Sequence, residues 1–304
     1  MRWVALTAIA PVAWGANYFV THEFLPADRP LYGAALRALP AGLVLLAVCR
    51  QRPRGAWWWR SGVLGLLNVS VFFVLVYAAS QLLATSVASA VMALSPLTMM
   101  LMAWAVVSER PRTAHLAGAS IGLAGVCLML LTGGGVGVAG VCASAAAMLV
   151  SSFGYVLAKR WDSGADVLAS TTWQLIAGGF LLLPVAAVVE GAPPALDASA
   201  VLAFGYVALV ATALAFVVWF IGLRRLPAGT VGLIGLLNPA TGVLLGVAFG
   251  GERLTVRQLC GLVLVLAGVV LGRPARERAH EQSVPAPSGT HGDPVREPSS
   301  GDSR

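Results

Sequence analysis

Charge is what this sequence has least of. Only 11% of its 304 residues are Asp, Glu, Lys or Arg, against about a quarter in a soluble domain. Residues 61–108 contain none of the four, and neither do residues 113–158. Each run is long enough for two membrane spans, since one span takes about 20 apolar residues. A water-soluble core is thereby excluded, and a mean hydropathy of +0.82 agrees. Histidine is scarce too, with two of the four beyond residue 272. No HExxH, no GxSxG and no paired intramembrane acids occur. The chain therefore lacks the nucleophile, base or metal set that an intramembrane enzyme needs, and no enzyme, metal or cofactor is expected. The four cysteines, Cys49, Cys127, Cys142 and Cys260, form no CxxC or Cys/His spacing and are taken as small packing residues. A cleaved leader is not expected: Arg2 is its only basic residue, and "AIA" at 8–10 follows too short an apolar stretch.

The apolar runs that remain predict an all-α polytopic membrane protein. Ten spans are expected, at about 3–20, 31–49, 61–80, 86–107, 115–132, 136–158, 168–189, 199–223, 229–250 and 257–272. From 273 to 304 the chain turns to Pro, Ser, Gly and charge, a composition that predicts a disordered tail. The net charge of +7 sits in short clusters between apolar runs, where it meets lipid headgroups and not nucleic acid. With the N-terminus inside, eleven Lys and Arg residues face the cytoplasm and three (Arg29, Arg253, Arg257) face outward. Both termini are therefore expected to be cytoplasmic, with "WWWR" at 57–60 in the interfacial aromatic belt.

The chain also repeats itself. "LSPLTMMLMAWAVVSER" at 94–110 returns as "LNPATGVLLGVAFGGER" at 237–253. Over 94–126 against 237–269, 13 of 33 positions are identical without a gap, including a proline and a Glu-Arg pair. This marks a duplication. In its register Pro96 falls on Pro239 and Glu109 on Glu252. The unit holds five helices, an odd number, so the copies 1–132 and 133–272 are expected to lie inverted in the membrane. Inverted repeats that exchange conformations give alternating access, with a substrate site near the midplane.

These features resemble the drug/metabolite transporter superfamily, in particular its EamA-type ten-helix exporters. The resemblance rests on "WGANYF" at 14–19, "LR" at 36–37, the doubled Pro-x12-Glu-Arg segment, and "WQLIAGGFLLLP" at 173–184 as the second-half counterpart of the second span. It implies a multi-pass carrier of the cell inner membrane that exports amino acids or other small metabolites. It also implies a central cavity lined by helices of both halves.

Ten residues are candidates for binding substrate. Pro96 and Pro239 free the carbonyls of Met92 and Gly235 if they lie inside helices, giving either cavity-facing acceptors and a hinge or a static kink. Arg37 lies about 9 Å into the second span at 1.5 Å per residue. It either grips a substrate carboxylate or snorkels to the headgroups. Gln174 is its positional partner in the second half. Asn17 and Asn238 are buried amides within the resemblance motifs. Trp14, Tyr77, Tyr155 and Trp173 are aromatics that can clasp cargo or simply pack. Glu109–Arg110 and Glu252–Arg253 are expected as interfacial anchors or loop ion pairs. No Asp or Glu lies deep in a span, so transport is expected either to be facilitated diffusion or to be coupled through groups at helix ends. The expected partners are a small-molecule substrate and the bilayer, with a homodimer left open. The alternatives are a nucleotide-sugar or phosphorylated-sugar carrier of the same plan, which needs more embedded cations than Arg37 alone, and a non-transporting scaffold.

Overall fold

The breaks between apolar runs are where the helices end. A computed structural model of the chain describes residues 2–83, 88, 91–92, 95–130, 137–162, 166–249 and 256–271. The expected tail at 273–304, the Glu252–Arg253 pair and most of the first turns expected at 86–94 lie outside the described residues. The described helices are α1 (Arg2–Phe24), α2 (Pro30–Cys49), α3 (Trp57–Leu82), α4 (Ser95–Val107), α5 (Thr113–Leu130), α6 (Val138–Arg160), α7 (Val167–Val189), α8 (Ala198–Arg225), α9 (Ala228–Gly235, then Leu237–Phe249) and α10 (Val256–Leu271). Among the described residues there is no strand. Seven of these helices are long and apolar enough to cross a membrane; α4 and the Leu259–Gly268 part of α10 are shorter apolar helices.

Local chemistry sets the helix ends. Pro30 opens α2, where its missing N–H costs nothing. Asp166 caps α7 by accepting from the Leu168 amide at 3.2 Å, and Asp197 caps α8 by accepting from Ala200 at 2.7 Å. That last contact also holds the Asp197 carboxyl below the usual carboxylate range. Arg50, at φ 49°, ends α2 in the left-handed region.

Two helices carry an internal irregularity. Residues Leu66–Val71 of α3 and Leu209–Leu214 of α8 wind as π-helix. The register that sets Pro96 on Pro239 also sets Leu66 on Leu209 and Val71 on Leu214. A π-turn widens the helix and loosens its carbonyl ladder, and in α8 two neighbouring side chains take up the Ala211 carbonyl, as described below.

Packing brings distant segments together. α1 lies against α8 and α9, α6 lies against α3 and α4, α2 against α7, and α5 against α10. Small residues permit the close crossings. At α2–α7 a Cβ on Gly42 would stand 2.8 Å from Ile176 Cγ1, and one on Gly179 would stand 2.5 Å from Leu39 Cγ. One sequence offset relates both Gly42 to Gly179 and Leu39 to Ile176, so each glycine faces the counterpart of the other's neighbour.

The helix ends gather into two polar layers. At one end Glu190 accepts from the Leu31 and Tyr32 amides at 2.6 and 2.9 Å, and Arg29 donates to the Glu190 carbonyl at 2.7 Å. At the other, Lys159 pairs with Glu109 at 2.5 Å and Arg224 with Asp162 at 2.8 Å. Glu109 also accepts from the Ala228 amide at 2.7 Å, so it caps α9 and does not pair with Arg110. Trp173 joins this end through its indole N–H, 2.7 Å from the Gln51 carbonyl.

Candidate substrate site

A cavity of about 40 Å³ lies among α1, α2, α3, α4, α6, α8 and α9. Trp14 and Asn17 reach it from α1, Arg37 from α2, Tyr155 from α6 and Asn238 from α9. Half of the ten candidates therefore converge on one place, although Trp14 and Asn238 come from opposite halves of the chain. The space holds about three waters at roughly 10–15 Å³ each. A metabolite requires the lining helices to part, since ligand pockets run to about 300 Å³ or more.

Arg37 is the charged side chain of this wall, only 6% exposed. Its Nε donates to Thr212 Oγ1 at 2.7 Å and its Nη2 to the Ala211 carbonyl at 3.3 Å, both in the π-stretch of α8. The guanidinium carbon also sits 4.0 Å from the Phe73 ring centroid, a cation–π contact. No carboxylate pairs with it among the described residues. Trp14 uses the same loosened ladder, donating its Nε1–H to the Ala211 carbonyl at 2.9 Å. Its ring lies 5.0 Å from Trp219 and parallel to Tyr155 at 6.5 Å. These rings form a rigid apolar wall beside the charge.

Around this wall, polar atoms stand without partners. Asn17 Oδ1, Asn238 Oδ1, Ser152 Oγ, the Tyr155 hydroxyl and the Trp219 indole nitrogen are all buried and unpaired. All five belong to residues lining the cavity. A buried polar atom left unpaired costs about 1–3 kcal/mol, so a cluster of five calls for a polar ligand or water. Together with Arg37 the wall offers donors, acceptors and one positive charge.

The remaining candidates lie elsewhere. Tyr77 is buried against Gly33, its hydroxyl donating to the Pro26 carbonyl at 2.6 Å, and is not part of the cavity wall. Trp173 belongs to the helix-end layer with Gln51 and Trp58. Gln174 is buried next to α3, accepting from Asn68 Nδ2 at 3.0 Å and donating to Ser170 Oγ at 3.1 Å. Pro239 does not interrupt a helix midway, and residues 93–94, just before Pro96, lie outside the described residues. Pro96 is the second residue of α4 and packs on Gly232. Pro239 is buried in the first turn of the Leu237–Phe249 segment, after a break where the Leu236 amide reaches back to Leu233. Proline is tolerated there because first-turn amides have no helical acceptor. The carbonyl-bearing residues tied to these prolines, Met92 and Gly235, do line the cavity.

Sequence reasoning passed over Ser95, Ser151 and Ser152 in the wall and Thr212 behind Arg37. A signal for Ser95 was present, because the duplication sets it on Asn238. Two further wall pairs, Val76 with Trp219 and Met92 with Gly235, match in the same register.

Comparison with known proteins agrees with this architecture. The sequence pattern of the EamA-like transporter family matches residues 1–131 and again 138–272. The chain is 36% identical over 265 residues to protein PecM of Dickeya dadantii, covering 86% of this chain and 89% of that one. It is 30% identical over 273 residues to the uncharacterized inner membrane transporter YedA of Escherichia coli K12, covering 86% and 87%. A solved crystal structure of a protein 23% identical superposes with a TM-score of 0.74 over 89% of this chain and 95% of that one.

Proposed function

We propose, from the premise that this chain belongs to the EamA-like transporter family, that it exports a small amino-acid-like or amphipathic carboxylate through the central cavity by alternating access. The observation that carries this reading is the buried Arg37, which has no carboxylate partner among the described residues, in a cavity wall whose residues carry five unpaired polar atoms. A substrate carboxylate supplies the missing counter-charge by a two-pronged contact. Asn17 and Asn238 take its remaining polar groups, and Trp14 and Tyr155 flank its apolar part. A single embedded cation suits one carboxylate better than the multiple charge of a nucleotide sugar.

Ten spans arranged as two inverted five-helix repeats, with both termini cytoplasmic, complete the proposal. The helix pairing supports it. Exchanging each helix for the one five places along turns α1–α9 into α6–α4 and α1–α8 into α6–α3, and returns α2–α7 and α5–α10 to themselves. The shared register of the π-stretches and of three wall pairs supports it as well. Such a pair of halves can trade conformations and move the opening from one face to the other.

The test is flux. Purified protein in vesicles, loaded with a panel of labelled amino-acid-like carboxylates, is expected to release at least one of them faster than protein-free vesicles. Release indistinguishable from protein-free vesicles across the panel overturns the reading.

A further inference from the structure

We propose that the recess between the ends of α2, α3 and α7 binds the phosphate of an anionic phospholipid headgroup. The recess, about 590 Å³, is separate from the substrate cavity and shares no lining residue with it. Arg50, Arg52 and Arg54 line it, with Trp57 and Ser61 of α3 and Trp173 of α7.

Three observations point to an anion there. The guanidinium groups of Arg50, Arg52 and Arg54 have no ion pair among the described residues. The acid in the wall, Asp166, already caps α7 through the Leu168 amide. Ser61 is 4% exposed, yet its hydroxyl, in the same wall, has no partner. That hydroxyl and three flexible guanidinium groups are the donors a phosphate takes up. The basic patch at the α4–α5 junction differs, because Glu109 and Asp162 already answer its Lys159 and Arg224.

The aromatic and apolar surroundings favour a lipid over a free phosphate. Trp173 is pinned by Gln51 at 2.7 Å and its ring lies 5.6 Å from Trp58, which is itself 57% exposed. Tryptophans at this depth sit at headgroup level. Val44 and Val48, one turn apart on α2, are exposed just beyond the arginines and offer a seat for acyl chains. The position also matters mechanically: a headgroup here ties α2 to α7, the helices that carry Arg37 and Gln174.

Native mass spectrometry on delipidated full-length protein tests this with dioleoyl phosphatidylglycerol, dioleoyl phosphatidylcholine and inorganic phosphate as probes. The expected result is roughly tenfold more phosphatidylglycerol than phosphatidylcholine retained, with no displacement by an equal concentration of inorganic phosphate. The variant Arg50→Gln/Arg52→Gln/Arg54→Gln should lose that preference, and Arg110→Gln/Arg112→Gln should keep it. Ser61→Ala should lower it about twofold, a measurement that stands even if the triple variant does not fold. The proposal is overturned if the two lipids are retained equally, if the Arg110/Arg112 variant loses as much as the triple variant, or if Ser61→Ala changes nothing. Displacement by inorganic phosphate overturns the lipid as its source.

Discussion

Arg37 and Gln174 occupy matching places and do different work. The offset between them is the one that relates Gly42 to Gly179, the glycines that interlock α2 with α7. Each reaches the π-stretch of the opposite half: Arg37 meets Thr212 and Ala211 in α8, and Gln174 meets Asn68 in α3. Gln174 is closed off by Asn68 and Ser170 and does not touch the cavity, whereas Arg37 lines it. Two arginines at these places would put two positive charges into a poorly solvated interior, each costly to bury. A duplicated scaffold with one charge and one amide keeps the geometry and concentrates the electrostatics on a single side.

If the difference is functional, exchanging the charge should have the largest effect. Arg37→Gln is expected to lower carboxylate flux in vesicles by about 10- to 100-fold, the loss of one charge-assisted hydrogen-bonded contact. Arg37→Lys should recover part of it, and equal rates for the two variants would remove the two-pronged contact. The α3–α7 crossing comes next. A Cβ on Gly65 would stand 2.7 Å from the Gln174 carbonyl oxygen, a backbone atom that cannot swing away. Gly65→Ala should therefore cost about 1–3 kcal/mol, read as a lower unfolding temperature in detergent. The matching position in the second half is already an alanine, Ala208, so the two crossings are not equally tight.

Gln174→Leu should be milder. It leaves the Asn68 amide unpaired and is expected to cost about 1 kcal/mol of stability, with flux per folded molecule within about twofold of the parent. A flux loss as large as that of Arg37→Gln would erase the distinction between the two residues. Smallest is Lys159→Gln. The Lys159–Glu109 pair is partly exposed, and Glu109 keeps its bond to the Ala228 amide. A change of no more than about 1 kcal/mol is expected, read in the same detergent melt.

Much of the helix plan was legible because lipid leaves little choice. Backbone polar groups in an apolar run must bond within the run, so scarcity of charge marks the helices to within a few residues. The echo of 94–110 in 237–253 was equally plain, since Pro, Glu and Arg do not recur together by apolar composition. The candidate site was half legible. Asn17, Arg37 and Asn238 stand out because polar groups in apolar spans are expensive. Tyr77, Trp173 and Gln174 carry the same signal and lie elsewhere, because a buried polar group is satisfied as well by a neighbouring carbonyl as by a ligand. The π-stretches left no mark, as "LLNVSV" and "LVATAL" are ordinary helical composition.

What the sequence by itself determined is the membrane class, the helical state and the doubled plan, each following from hydropathy and repetition, which are properties of the chain read in order. What only the tertiary structure decided is which polar groups remain unanswered. Asn68 and Asn238 look alike in sequence, and the side-chain oxygen of each is buried without a partner, yet the Asn68 amide nitrogen reaches Gln174 across the α3–α7 contact while Asn238 lines the cavity. Hydrogen bonds have a reach of about 3 Å, and only the packing of helices distant in sequence settles what lies within it.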